Sequence, residues 1–198
     1  NNNDGIKVNG FSGTYNTQTS YIINNTVVDS LQDGITIGRS NVVVSGNDVS
    51  GSSSNNGVIY VSETVDNVEI TNNLIHDNLA SVSGTDTNYA VRIGKNPSDF
   101  PTNVIVRDNS IVNNDGLIFF AQNSQANLDA LRNWWGTTDA SVIAAGIVGV
   151  MDGGGNTNGS IDFSTIFTSG ADTDGVTPGF QPDTSSLSVH DFGSEPAT

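Results

Sequence analysis

The chain has 198 residues, no cysteine, and six Lys plus Arg against twenty-one Asp plus Glu, a formal charge of −15. Disulfides are therefore excluded as a source of stability, nucleic acid and anionic membrane are disfavoured as partners, and cations are the expected company. No stretch approaches the run of about eighteen apolar residues that a membrane span needs, and Asn1-Asn2-Asn3-Asp4 does not read as a signal peptide.

In chain order, the first element is Gly5-Ile6-Lys7-Val8, a small residue followed by apolar residues at alternate positions. It recurs as Gly34-Ile35-Thr36-Ile37, Gly57-Val58-Ile59-Tyr60, Ala90-Val91-Arg92-Ile93 and Gly116-Leu117-Ile118-Phe119. Alternation puts Ile6 and Val8 on one face of a strand and Lys7 on the other. The outward positions would then be Lys7, Thr36, Ile59, Arg92 and Ile118. The first rung begins almost at once, with no polar cover beneath it, so the chain reads as the C-terminal part of something longer.

The second element carries an asparagine in a fixed place: Asn25, Asn47, Asn73, Asn109 and Asn133. Five residues earlier stand Ser20, Val42, Val68, Val104 and Leu128. Three residues earlier stand Ile22, Val44, Ile70, Val106 and Ala130, and two residues later Val27, Val49, Ile75, Ile111 and Trp135. The spacings of 22, 26, 36 and 24 residues define an internal repeat that tolerates insertions. Two short strands per period, separated by Asn, Gly and Ser and without helical periodicity, call for a stack of coils. The asparagine would sit in a bend, and its two-way amide can bond to the coils above and below.

The pattern in Asn67-Val68-Glu69-Ile70-Thr71-Asn72-Asn73-Leu74-Ile75 and in Asn103-Val104-Ile105-Val106-Arg107-Asp108-Asn109-Ser110-Ile111 resembles the repeat of the pectate-lyase-like superfamily. The resemblance covers about residues 5 to 135. It implies an all-β fold, a right-handed single-stranded parallel β-helix of about five coils. Members of that superfamily include polysaccharide lyases, hydrolases and epimerases, and also surface proteins without enzymatic activity, so fold does not convert to activity. The segment Asn133-Trp134-Trp135-Gly136-Thr137 is similar to an element that closes β-helices of surface proteins, which makes Trp134 and Trp135 an expected end cap.

Between coils, residues 79–88 and 95–102 are longer excursions that account for the spacing of 36. After Trp135, Thr138 is the expected N-cap of a short helix to about Ala145, with Val142, Ile143 and Ile147 as its apolar positions. Ile161-Asp162-Phe163-Ser164 with Ile166-Phe167 is expected to return as a strand. All twenty-six asparagines lie at or before Asn158, whereas residues 170–198 hold Pro178, Pro182 and Pro196 and little apolar periodicity. The expected organisation is a β-helix over 1–136, a cap of helix and strand over 137–170, and a linker or further module over 171–198.

Chemistry is sparse. On the outward face of the second rung, Glu69 and Asp129 would stand two coils apart, about 10 Å, which fits a hydrolase acid and base. Salt-bridging or solvation accounts better for two acids among so many. His76 and His190 are isolated and read as surface residues. Asp162, Asp172 and Asp174, with Asp183 beyond, offer oxygen ligands to Ca²⁺ without the spacing of an EF-hand loop. Asn24-Asn25-Thr26 and Asn158-Gly159-Ser160 are glycosylation triplets that cannot establish secretion in so asparagine-rich a chain. Val43, Ile59, Ile105 and Ile118 would form an apolar outer surface, suited to packing against another element or copy. The expectation is a structural or adhesive module of an extracellular or cell-surface protein that associates with itself or adjoining modules; the alternative is a carbohydrate-active enzyme or glycan binder.

Overall fold

The computed structural model describes residues 3–10, 17–54, 56–62, 64–79, 89–95, 101–115, 117–121, 128–148 and 161–189, with backbone alone for 117–121 and 148. The first three strands are β1 (Ile6–Asn9), β2 (Ser20–Ile23) and β3 (Thr26–Val28), followed by β4 (Ile35–Gly38), β5 (Val42–Ser45) and β6 (Asp48–Ser50). Next come β7 (Ile59–Val61), β8 (Asp66–Thr71), β9 (Leu74–His76), β10 (Tyr89–Ile93), β11 (Thr102–Arg107) and β12 (Ser110–Val112). The chain ends with β13 (Leu117–Ala121), β14 (Leu128–Asp129), α1 (Ala140–Gly146), β15 (Ile147–Val148), β16 (Ile161–Asp162), β17 (Thr165–Phe167) and β18 (Leu187–Val189).

Up to β14, every third strand joins the same sheet. Sheet A runs β1-β4-β7-β10-β13-β15, sheet B runs β2-β5-β8-β11-β14-β16, and sheet C runs β3-β6-β9-β12. Pairing within these three sheets is parallel throughout, as in β5 against β8 and β6 against β9. The fold is all-β, built of parallel sheets with one short helix among the described residues, and is compatible with a β-helix. Three strands per turn were found where two were expected. Strands such as β3 and β6 span three residues and bury only the middle one, so they are too short to display alternation.

Apolar columns fill the interior. Val42, Val68 and Val104 stack in one, Ile22, Val44, Ile70, Val106 and Ala130 in another, and Val27, Val49, Ile75, Ile111 and Trp135 along sheet C, all buried. Each such Ile or Val contributes about 1.5–3 kcal/mol by leaving water, and β-branched side chains suit a pleated surface. The third column ends on Trp135 because Trp134 bridges to Ser110, which sets the tryptophan beside Ile111.

Register corrects the first rung. Ile59 pairs with Ile35 and Val91, not with Lys7's column, and is fully buried. The outward row reads Lys7, Thr36, Tyr60 and Arg92, with Phe120 next to Arg92 in backbone register. A slip of one residue exchanges the two faces of a strand; aligning on Gly57 produced that slip, whereas Val58 holds the place of Gly5 and Gly34 in the hydrogen-bond ladder. Ile118 lies between Leu117 and Phe119, which pair with Tyr89 and Val91, so it stands level with Ala90 and two positions from the expected register.

After the last coil the helix is capped by Asp139, one residue beyond the expected Thr138, its carboxylate accepting the N–H groups of Ser141 and Val142. Ile143 is buried within the main core, and α1 packs on β13 and β15. Val142, expected to face inward, is half exposed. Within the segment 171–189, Phe180 is buried, and its N–H donates to Asn72 O at 2.8 Å. The excursions 80–88 and 96–100, the triplet at Asn158 and His190 lie outside the described residues.

Candidate functional site

The corner between sheets B and C is turned by residues with left-handed backbone: Asn24, Gly46, Asn72, Asp108 and Arg132. Asn and Gly tolerate positive φ best, which explains most of this column. The repeated asparagine follows each of them, so the unusual backbone belongs to the residue before it. Asn47, Asn73, Asn109 and Asn133 are wholly buried. Asn25 donates its backbone N–H (3.0 Å) and side-chain Nδ2 (2.9 Å) to Asn47 Oδ1. Asn47 does the same to Asn73 Oδ1, Asn73 to Asn109 Oδ1, and Asn109 to Asn133 Oδ1. From Asn47 on, each amide also donates back to the previous coil, as Asn47 to Ile22 O and Asn73 to Val44 O. Buried amides must be satisfied, and these bonds run without a gap through five coils.

A second column, missed in the sequence, lies at the corner after sheet C. Its left-handed residues are Asp29, Gly51, Asp77 and Asn113, and the residues that follow are Ser30, Ser52, Asn78 and Asn114. Asn78 Oδ1 accepts the N–H of Ser52 at 2.9 Å, and Asn78 Nδ2 donates to Asn114 Oδ1 at 2.8 Å. The signal was a constant offset of five residues from the first ladder, obscured because serine fills half of the places.

Glu69 and Asp129 fall on one outward column of sheet B, with Val43 and Ile105 between and beside them in register and Asp162 beyond. Glu69 is exposed. Asp129 is held by Arg107, whose Nε donates at 2.6 Å and whose Nη2 bonds to the second oxygen. The same carboxylate accepts the N–H of Leu131. The hydrogen bond to Asp129 raises the Arg107 guanidinium further above its ordinary value, burial opposing it. Asp129 is thus the ion-pair partner of Arg107.

His76 is not isolated. On sheet C it bridges Asp77 (Nδ1, 2.7 Å) and Asp48 of the neighbouring strand (Nε2, 2.9 Å). Burial is the largest single influence and works against its charge, but the hydrogen bonds and charges of Asp77 and Asp48 together raise its pKa above the ordinary histidine value. The bond to His76 holds Asp77 below the usual carboxylate range.

Of the Ca²⁺ candidates, Asp162 accepts Ser164 N–H and Oγ, and Asp172 accepts the N–H groups of Asp174 and Gln181. Asp174 accepts Thr177 Oγ1 at 2.7 Å, which lowers its pKa, and Asp183 is held down in the same way by Ser185. These carboxylates cap turns. Among the described residues, no three His, Cys, Asp or Glu side chains come together to hold a metal ion.

Sheet A carries a polar cleft of about 420 Å³ on its outer side, lined by Lys7, Asn9, Gln32, Thr36, Asn56, Tyr60 and Ser62 among others. At one wall the buried Asp33 accepts Ser54 Oγ (2.7 Å), Asn56 Nδ2 (2.9 Å) and Thr36 Oγ1 (3.2 Å). Lys7 pairs with Asp4 at 3.1 Å, Lys95 Nζ donates to Asn56 Oδ1 at 2.7 Å, and Arg92 lies 5.1 Å from the Tyr89 ring centre.

No described helix is long and apolar enough to cross a membrane. Comparison of the chain with protein-family models, with curated proteins and with solved structures gives no match.

Proposed function

We propose that the chain is a structural module, a right-handed single-stranded parallel β-helix of the pectate-lyase-like kind, that works by association in a fibre or surface layer of an extracellular or cell-surface protein. The use made of the polar side chains supports this reading. The buried amides bond coil to coil, Asp129 is clamped by Arg107, and Asp33 is saturated by three donors. These groups brace a rod.

An apolar outer surface supplies the contact. It is not Ile59, which is buried, but the exposed apolar residues of one coil: Tyr21 (66%) and Ile23 (49%) on sheet B, Val28 (54%) on sheet C and Leu31 (74%) beyond it. Val43 continues it, pairing with Tyr21. Exposed apolar residues gathered on one coil are where this reading places association. Light scattering and electron microscopy of the full chain test this: assemblies are expected that Tyr21→Ser with Val28→Ser dissolves. Monodisperse monomers at high concentration, with and without Ca²⁺, would sink it. Reducing-end and unsaturated-product assays on acidic polysaccharides should show no turnover; activity lost in Glu69→Ala or Asp129→Ala would point to an enzyme instead.

The sheet A cleft favours a second reading, glycan binding, because carbohydrate sites combine an aromatic ring with converging hydroxyl and amide groups. Here Tyr60 stands among Thr36, Asn56 and Ser62. Retention on a glycan array that Tyr60→Ala abolishes would establish it, and an array without hits would remove it.

A further inference from the structure

The segment 165–189 folds back over the outside of the coils. Asn133 bridges to Ile166, β17 pairs antiparallel with β18, and between them the chain reaches across the sheet B–C corner to Gly46 and Asn72. Its seat there is small and specific. Phe180 N–H donates to Asn72 O at 2.8 Å, and Asn72 Nδ2 donates to Phe180 O at 3.3 Å. Among the described residues, these two are the hydrogen bonds that join 171–189 to the coils. Gly179, at φ +92°, lies so close that a Cβ would stand 2.5 Å from Asn72 O and 2.6 Å from Gly46 Cα, so the contact requires glycine at 179. The Phe180 ring meets Phe167 edge-on at 6.0 Å. Both rings are buried, yet neither belongs to the main core.

Residues 168 and 171–177, which lead into the seat, are exposed. The tip 172–182 is closed on itself by the Asp172–Pro182 bridge and the Thr173–Gln181 hydrogen bonds and is seated by one aromatic ring and two hydrogen bonds, so the same tip of another molecule can make the same contacts in its place. Exchange of an identical element is a low-cost route from monomer to assembly, and a non-closing exchange propagates. Resting on the association reading, we propose that the channel over Gly46 and Asn72 is a docking site whose partner is the Pro178–Gln181 segment of a second copy.

The test mixes isotopically heavy and light full-length chains at high concentration and counts mixed dimers by native mass spectrometry. Mixed dimers are expected in the parent and at least tenfold fewer in Phe180→Ala and Gly179→Ala, each first checked for folding by circular dichroism. An excess of a synthetic peptide of residues 174–185 should suppress mixing in the parent, a result that depends on no variant. The same peptide, fluorescein-labelled, should bind full-length Gly179→Ala more tightly than the parent, whose seat is filled. Mixed dimers that survive both variants and the peptide would overturn strap exchange while leaving association intact. A parent that never mixes would overturn both, and a labelled peptide that binds neither chain would overturn the docking site whatever the state of association.

Discussion

The two corners that flank sheet C use the same device, a left-handed residue followed by a side chain that reaches the next coil, but they differ in completeness. The corner before sheet C holds asparagine in all five coils, whereas the corner after it holds Ser30, Ser52, Asn78 and Asn114. Length follows the same division. Every coil crosses the first corner with the same number of residues, from Ile22 to Val27 or from Ile70 to Ile75. Beyond the second corner the distance to sheet A varies, from five residues between Ser30 and Ile35 to thirteen between Asn78 and Val91. An unbroken amide ladder tolerates no change of length, because one displaced amide orphans a donor in one coil and an acceptor in another. The longest of these connections follows Asn78, whose amide still bonds to Asn114, so loops grow beyond the second corner and not within either one.

Insertion is the harshest way to test this contrast. Four Gly-Ser residues placed between Asn72 and Asn73 should abolish cooperative folding, while the same four after Leu79 should shift the urea midpoint little, since each doubling of loop length costs only about 0.6 kcal/mol. Similar damage from both would erase the distinction. Next in size, Asn73→Ala strands the Asn47 N–H, removes the side-chain donor from Val44 O and leaves Asn109 Oδ1 with one donor instead of two, and should cost about 3 kcal/mol in chemical denaturation. Asn78→Ala strands fewer deeply buried groups, and about 1–2 kcal/mol is expected. An equal or inverted order would mean that continuity adds nothing.

The His76 bridge sharpens the second corner through pH. Its folded pKa is raised, so its stabilising contribution is complete below the unfolded value of about 6.5 and disappears as pH rises through the folded value. Melts of the parent and His76→Asn should therefore differ most near pH 5.5 and converge above pH 9, the pH range being about that set by the histidine reference value; a gap that widens with pH would reverse the assignment. Smallest of all, Glu69→Ala on the exposed face should change stability by less than about 0.5 kcal/mol.

The parallel stack was legible because β-branched residues at fixed offsets from one asparagine leave few other arrangements. Sheet C was not, since three-residue strands such as β9 show one inward residue and no alternation. Ile59 was misplaced for a local reason: Gly57 imitates Gly5 and Gly34, but Val58 takes their place in the ladder. The bridge of His76 to Asp48 and the seat of Phe180 on Asn72 join residues 28 and 108 positions apart. Nothing periodic in the sequence marks either contact. Asp129 could be assigned to a face from the repeat, but its capture by Arg107 depends on rotamers that spacing does not encode.

The direction of the asparagine ladder bears on how the chain acquires its shape during synthesis. Each rung's N–H and Nδ2 point to an acceptor in the coil that follows, from Asn25 to Asn47 and on to Asn133. A coil leaving the ribosome is thus incomplete until its successor, 22 to 36 residues later, has emerged. Structure would then accrue one rung behind translation, with the unfinished rung always the youngest. The process stops where Ile166 pairs with Asn133, an apolar side chain that offers no amide for a further rung.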